Sequence, residues 1–187
     1  NNSTTDHSDL LIITEAKVLL KDIKLNVSGT AEETANFKTG PYVFYLDLAS
    51  SVNLVSTAYI PAGTYDKVRF NIHKLGNGEP VPDPDFEDAN GRYSIIVKGT
   101  YNSIFFVFKS DVSAHQKVSF PGSLQVSASG KTNITLLVRP HLWFIKDGNI
   151  LDPMIASNRN DIDANIRDNI NENFKCFKDD NRDGQPD

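Results

Sequence analysis

Tyr65-Asp66-Lys67-Val68-Arg69-Phe70-Asn71-Ile72-His73 alternates polar and apolar residues from Lys67 onward. Val68, Phe70 and Ile72 fall on one side; Lys67, Arg69, Asn71 and His73 fall on the other. A period of two is that of a β-strand with one dry and one wet face. The three apolar residues are therefore expected in a core, with Arg69 and Asn71 outside. The strand begins behind Pro61-Ala62-Gly63, which reads as a turn because Pro fixes φ and Gly supplies a permissive position.

Working outward, the same signature recurs. LLIITEAKVLLKDIKLNV, residues 10–27, is rich in β-branched residues, and Lys21, Ile23 and Leu25 sit at alternate positions, which favours strand over helix. YVFYLDL, residues 42–48, is bounded by Gly40-Pro41 and Ser50-Ser51, and Asn53–Ile60 reads as a weaker strand. Further on, YSIIVKGTY and SIFFVFKS are parted by Asn102 and form a hairpin. His115–Phe120 and Leu124–Ala128 flank Pro121-Gly122, and NITLLVRPHLWFI closes the series. About nine strands lie 8–15 residues apart, with turn residues and no helical pattern between them. That excludes alternating strands and helices and leaves an all-β antiparallel sandwich or barrel. The expectation taken forward is an antiparallel β-sandwich, immunoglobulin-like or transthyretin-like, over residues 10–146.

The remainder reads differently. Ile162, Ile166, Ile170, Phe174 and Phe177 recur at spacings of 4, 4, 4 and 3, one apolar face of a helix. Asn160 is placed to cap it, acids occupy the first turn, and Lys175 and Lys178 lie at the end, as the helix dipole favours. An amphipathic helix over about 160–178 is expected to dock on the sandwich. The chain thus divides into a polar tail (1–9), the sandwich (10–146), and a helix with an acidic terminal loop (147–187).

Charge follows this division. Of 187 residues, 24 are acidic and 19 are Lys or Arg, a net charge of −5. Residues 1–146 hold 14 of each sign, while 147–187 hold 10 acidic and 5 basic, so the last segment carries the whole excess. The balance argues against nucleic acid as a partner. No apolar run approaches the roughly 18 residues of a membrane helix, so no transmembrane segment is expected. Cys176 is alone, which excludes an intrachain disulfide and a Cys-based zinc site. The polar opening NNSTTDHSD is unlike a targeting segment; a mature product after cleavage would look like this, and so would a trimmed chain.

The most specific motif is Asp179-Asp180-Asn181-Arg182-Asp183-Gly184-Gln185-Pro186-Asp187. Oxygen side chains fall at positions 1, 3, 5 and 9, with Gly at position 6. Alternate residues of a tight loop turn their oxygens inward, and Gly takes the sharp bend a hard cation requires. Asp179, Asn181, Asp183 and Asp187, with the carbonyl of Gln185, form a candidate calcium site. It resembles the calcium loops of thrombospondin type 3 repeats and dockerins, and lacks the position-12 Glu of an EF-hand. A second acidic group, Asp83, Asp85, Glu87 and Asp88, is interrupted by Pro and Phe and is expected to be a solvated loop.

Other chemistry is thin. His7, His73, His115 and His141 show no metal-pair spacing, no Ser lies in G-x-S-x-G, and no Gly-rich phosphate loop occurs. Tyr42, Tyr45, Tyr59, Tyr93, Tyr101 and Trp143 could stack on sugars, although all but Trp143 lie in or beside strands, where core packing is the default. No catalytic residues are assigned, and no enzyme is expected.

The segments LLIITEAKVLLKDIKL, FKTGPYVFYLDLAS and IPAGTYDKVRFNIHKL resemble an uncharacterised family of bacterial exported lipoprotein domains, a domain of unknown function. The turn and strand Pro61, Ala62, Gly63, Tyr65, Val68, Arg69 and Phe70 carry the resemblance most closely. It implies an immunoglobulin-like or transthyretin-like sandwich exported to the cell surface, with no activity attached. The expected role is a non-enzymatic extracellular structural module, calcium-stabilised, in a surface fibre or layer. Its partners would be other copies of itself or other surface proteins, with the tail 1–9 and residues up to 15 contacting a neighbouring chain. The alternative is a surface binding module for polysaccharide or another extracellular ligand.

Overall fold

A computed structural model describes residues 10–29, 37–46, 48, 53–54, 61–127, 134–173 and 175–178. The calcium motif at 179–187, the tail 1–9 and Tyr59 lie outside the described residues. Among the described residues, fourteen strands and one α-helix run in the order β1 (Leu11–Val27), β2 (Phe37–Thr39), β3 (Tyr42–Tyr45), β4 (Asn53–Leu54), β5 (Gly63–Ile72), β6 (Glu87–Asp88), β7 (Gly91–Arg92), β8 (Ile95–Tyr101), β9 (Ile104–Ser110), β10 (Ala114–Val126), β11 (Ile134–Leu137), β12 (Ile145–Lys146), β13 (Asn149–Ile150), α1 (Arg159–Asn173) and β14 (Lys175–Lys178). Every strand pairing among the described residues is antiparallel.

The seven-stranded main sheet is built around β1, in the order β10-β5-β1-β8-β9, with β2 and β3 also on β1. The first half of β1, Leu11–Val18, pairs with β8, and Leu20–Val27 pairs with β5. Because Val18 faces both β8 and β3, and Leu20 faces both β5 and β3, β8 and β5 follow one another along the same edge of β1. A register shift between Leu20 and Asp22 marks the changeover. There the inward side of β1 passes from Ala16, Val18 and Leu20 to Ile23 and Leu25, so Lys17, Leu19 and Lys21, and then Asp22, Lys24 and Asn26, turn away from the main core. A bulge does this: one extra residue shifts the side-chain alternation and bends the strand. Gly40, in the cis Gly40–Pro41 peptide between β2 and β3, crosses here; at φ +133 its absent Cβ would lie 2.6 Å from the Lys21 carbonyl oxygen.

Val68, Phe70 and Ile72 are buried as the alternation requires, and they join Ile95, Val97, Phe106, Phe108, Ala114 and Leu124 in the main core. Ile162, Ile166 and Ile170 of α1 seal it, each at most 1% exposed. Residues 102–103, both at positive φ, make the turn of the β8–β9 hairpin. The flanks of Pro121-Gly122 belong to one strand, β10, with a register break between Ser119 and Leu124.

Two expectations about elements require correction. NITLLVRPHLWFI is not one strand: Ile134–Leu137 is β11, Pro140–Phe144 is a 3-10 turn that drops Trp143 and Phe144 into the core, and Ile145 opens β12. Trp143 is fully buried and offers nothing to a sugar. The helix ends at Asn173, and Lys175–Lys178 forms a strand against β11, with Phe177 opposite Thr135. Asn169, Asn171 and Asn173 are weak helix formers, and the edge of β11 away from β4 pairs with Lys175–Lys178 instead. The helix begins at Arg159, so Asn160 lies inside it rather than capping it. No described helix is long and apolar enough to cross a membrane.

Candidate ligand cleft and the charged staple

Two charged regions lie on the side of β1 away from the main core. The first surrounds the segment between β5 and β8. Phe86, at 1% exposure, inserts beside Leu19, Leu75 and Ile96, a small second core. Acids border it, each with a cation. Lys17 Nζ donates to Asp83 Oδ2 at 2.9 Å and to Asp85 Oδ2 at 2.7 Å. Lys98 reaches Asp85 at 2.6 Å and Glu15 at 2.8 Å. Lys21 meets Glu79 at 3.0 Å, Arg92 meets Glu87 at 2.9 Å, and Lys109 meets Asp88 at 2.8 Å. Tyr45, half exposed, donates its hydroxyl to Asp83 Oδ2 at 2.8 Å.

The group expected to be a solvated acidic loop is therefore a staple, and its slots for a cation are filled by lysines and arginine. Burial works against the charge on Lys17, but its hydrogen bonds to Asp85 and Asp83 outweigh that and raise its pKa. The Lys17 and Lys98 hydrogen bonds hold Asp85 down at about 2. Burial opposes ionisation of Asp83, yet the Asp85 backbone N–H, Lys17 and Tyr45 together keep its pKa below the ordinary carboxylate value. These are matched charges: each acid named here stands within ion-pair distance of a lysine or arginine.

The second region gathers cations in one row. In the register of the sheet, Lys38 of β2 faces Lys24 of β1, Lys24 faces Arg69 of β5, and Arg69 faces Lys117 of β10. Four cations stand in one row across four adjacent strands. Directly opposed like charges destabilise a sheet unless neighbours offset them, and Lys24 and Lys38 both ion-pair with Asp22. The next row along is Asp22, Asn71 and His115. Asp22, Lys24, Arg69, Phe70, Asn71, His115, Gln116 and Lys117 line a cleft of about 260 Å³.

Asp22 forms the floor at 3% exposure. Asn71 Nδ2 donates to its Oδ2 at 3.2 Å; Lys38 Nζ stands 3.5 Å from the same oxygen, and Lys24 Nζ stands 3.7 Å from Oδ1. Both lysine contacts to Asp22 are ion pairs longer than an ordinary hydrogen bond. Asp22 Oδ1 and Asn71 Oδ1 are buried and accept no hydrogen bond among the described residues.

Sequence reasoning singled out Arg69 and Asn71 only as outward-facing residues and missed the site. The alternation showed which side each cation takes, but the register that brings Lys24, Lys38 and Lys117 beside Arg69 is long-range. Among the described residues no group of three His, Cys, Asp or Glu side chains could hold a metal. Comparisons with protein-family models, curated proteins and solved structures found no match.

Proposed function

We propose that the protein is a non-catalytic ligand-binding module whose cleft on β1, β5 and β10, with Lys38 of β2 beside it, takes an anionic ligand. The observation that supports this reading is the cross-strand row Lys38, Lys24, Arg69 and Lys117 above the buried Asp22. An anion seated on the row relieves the repulsion within it, and partial burial strengthens the attraction. We take the main sheet, bent at β1, as the two layers of a β-sandwich, and the protein as exported, on the sequence resemblance. The terminal loop, with Asp179, Asn181, Asp183, Gln185 and Asp187, is proposed as a calcium site beginning directly after β14. Of the features behind the fibre reading, the tail 1–9 lies outside the described residues, and Leu11–Glu15 pairs with β8 of its own chain. The binding reading is therefore the better supported.

Retention on immobilised dextran sulfate tests it. A protein of net charge −5 should be repelled by a polyanion unless one face concentrates positive charge. The expected result is binding that weakens steeply with added salt and is lost when Lys24→Glu and Lys117→Glu are combined, with thermal unfolding showing that the variant is folded. Absence of binding at low salt, or retention by the folded variant, would overturn the reading.

A further inference from the structure

Resting on that cleft, we infer that its ligand is a carboxylated sugar chain, in which each ring brings an anion and hydroxyl donors together. The reasoning starts from what the cleft lacks. A simple anion such as sulfate only accepts hydrogen bonds, so it satisfies the cations but leaves the buried acceptors untouched. Asp22 Oδ1 and Asn71 Oδ1 accept no hydrogen bond among the described residues, and an acceptor left that way in a buried position is costly. A ligand that satisfies the floor must supply donors to Asp22 and Asn71, and the positive row above it favours one that also carries an anion.

The layout separates these demands. The cation row and the Asp22, Asn71, His115 row are two residues apart along the strands, about 6.6–6.8 Å. A pyranose uronate carries its carboxylate at one end and ring hydroxyls at the other, a separation of similar scale. The row itself crosses four strands, about 14 Å, room for more than one sugar residue. Aromatic stacking is not part of the recognition: Phe70, the aromatic residue lining the cleft, is 2% exposed and belongs to the core.

Binding is then an exchange of partners. Lys24 and Lys38, with side chains 36% and 62% exposed, stand at long distance from Asp22 and are free to swing. A ligand carboxylate draws them upward onto itself. Sugar hydroxyls take their place and donate to Asp22 Oδ1 and Asn71 Oδ1. No bond is made or broken and no proton changes hands. The scheme also explains why a carboxylate lies at the bottom of a cationic cleft, where it would weaken the binding of a plain anion.

Three polymers separate the possibilities: polygalacturonate (carboxylate with hydroxyls), polyglutamate (carboxylate without hydroxyls) and dextran sulfate. Calorimetric titration of the full chain should show polygalacturonate binding about tenfold more tightly than polyglutamate at equal charge, the order expected for hydrogen bonds to a charged group. Asp22→Asn should erase most of that preference while leaving or improving dextran sulfate binding. Asn71→Ala, a milder change on a half-buried side chain, should reduce it in the same sense. If all three polymers bind alike and neither variant alters their ranking, the sugar assignment fails and the anion cleft stands. If none binds, the cleft reading itself fails.

Discussion

Lys17 carries its charge where little water reaches it, 7% exposed between two aspartates. Replacing it by Met keeps the volume but leaves Asp83 buried with an uncompensated charge. Chemical denaturation of Lys17→Met should show a loss of about 3 kcal/mol, the order found when one partner of a buried pair is removed. Acid should act through the same group. The folded-state pKa of Asp85 lies at about 2, below its ordinary 3.8, so its ionised form adds stability above pH 3.8 that is lost as pH falls toward 2. Urea midpoints measured between those limits should drop for the wild type and drop less for Lys17→Met, in which Asp85 has lost its leading partner. An equal drop in both would show that the acid sensitivity arises elsewhere. None of this was legible in the sequence, because Lys17 is 66 residues from Asp83 and 68 from Asp85. Spacing arguments reach neighbours on one strand or one helical face and cannot see a partner brought in by a loop.

At the scale of elements, the β1–β8 pairing depends on a glycine. Gly99 lies opposite Ile13, next to the shift between Ile13 and Glu15, and a Cβ there would collide with the Ile12 carbonyl oxygen and come within 3.0 Å of Ile13 Cα. Both are backbone atoms that cannot step aside cheaply. Gly99→Ala should therefore destabilise by about 1–3 kcal/mol, read from denaturant midpoints. A neutral Gly99→Ala would mean that β1 can slide past β8. What the sequence showed well were elements with an internal period: β5 from its alternation, the β8–β9 hairpin from two apolar runs around Asn102, and α1 from Ile162, Ile166 and Ile170. What it showed poorly were elements decided by a partner. β14 is a strand because β11 presents an edge to it, and the cation row exists because four strands fall into one register.

For the molecule as a whole, the C-terminal segment contributes to the fold beyond its helix. β14 joins β11 and β4 in a second, three-stranded sheet, so a calcium ion held by the residues that follow Lys178 in the chain would act on the end of that sheet. With a dissociation constant on the order of 10⁻⁴ M, a tenfold excess of Ca²⁺ adds about 1.4 kcal/mol. That corresponds to a rise of about 3–6 °C in melting temperature for a chain of this size. The rise should be absent when Asp179→Ala and Asp183→Ala are combined, and smaller with Mg²⁺, which suits a flexible many-oxygen loop less well. An identical shift in the doubly substituted protein would place the ion elsewhere. The long strand at the centre has a different consequence. Since β1 lends one half to β8 and the other to β5, an opening that frees β1 strips both sides of the main sheet of their template at once. Such an opening is close to complete unfolding, whereas loss of β9 or β10 at the margins is not. A protease cutting within β1 therefore meets either an intact fold or an unfolded chain, and its rate of cutting there reports the global equilibrium between the two.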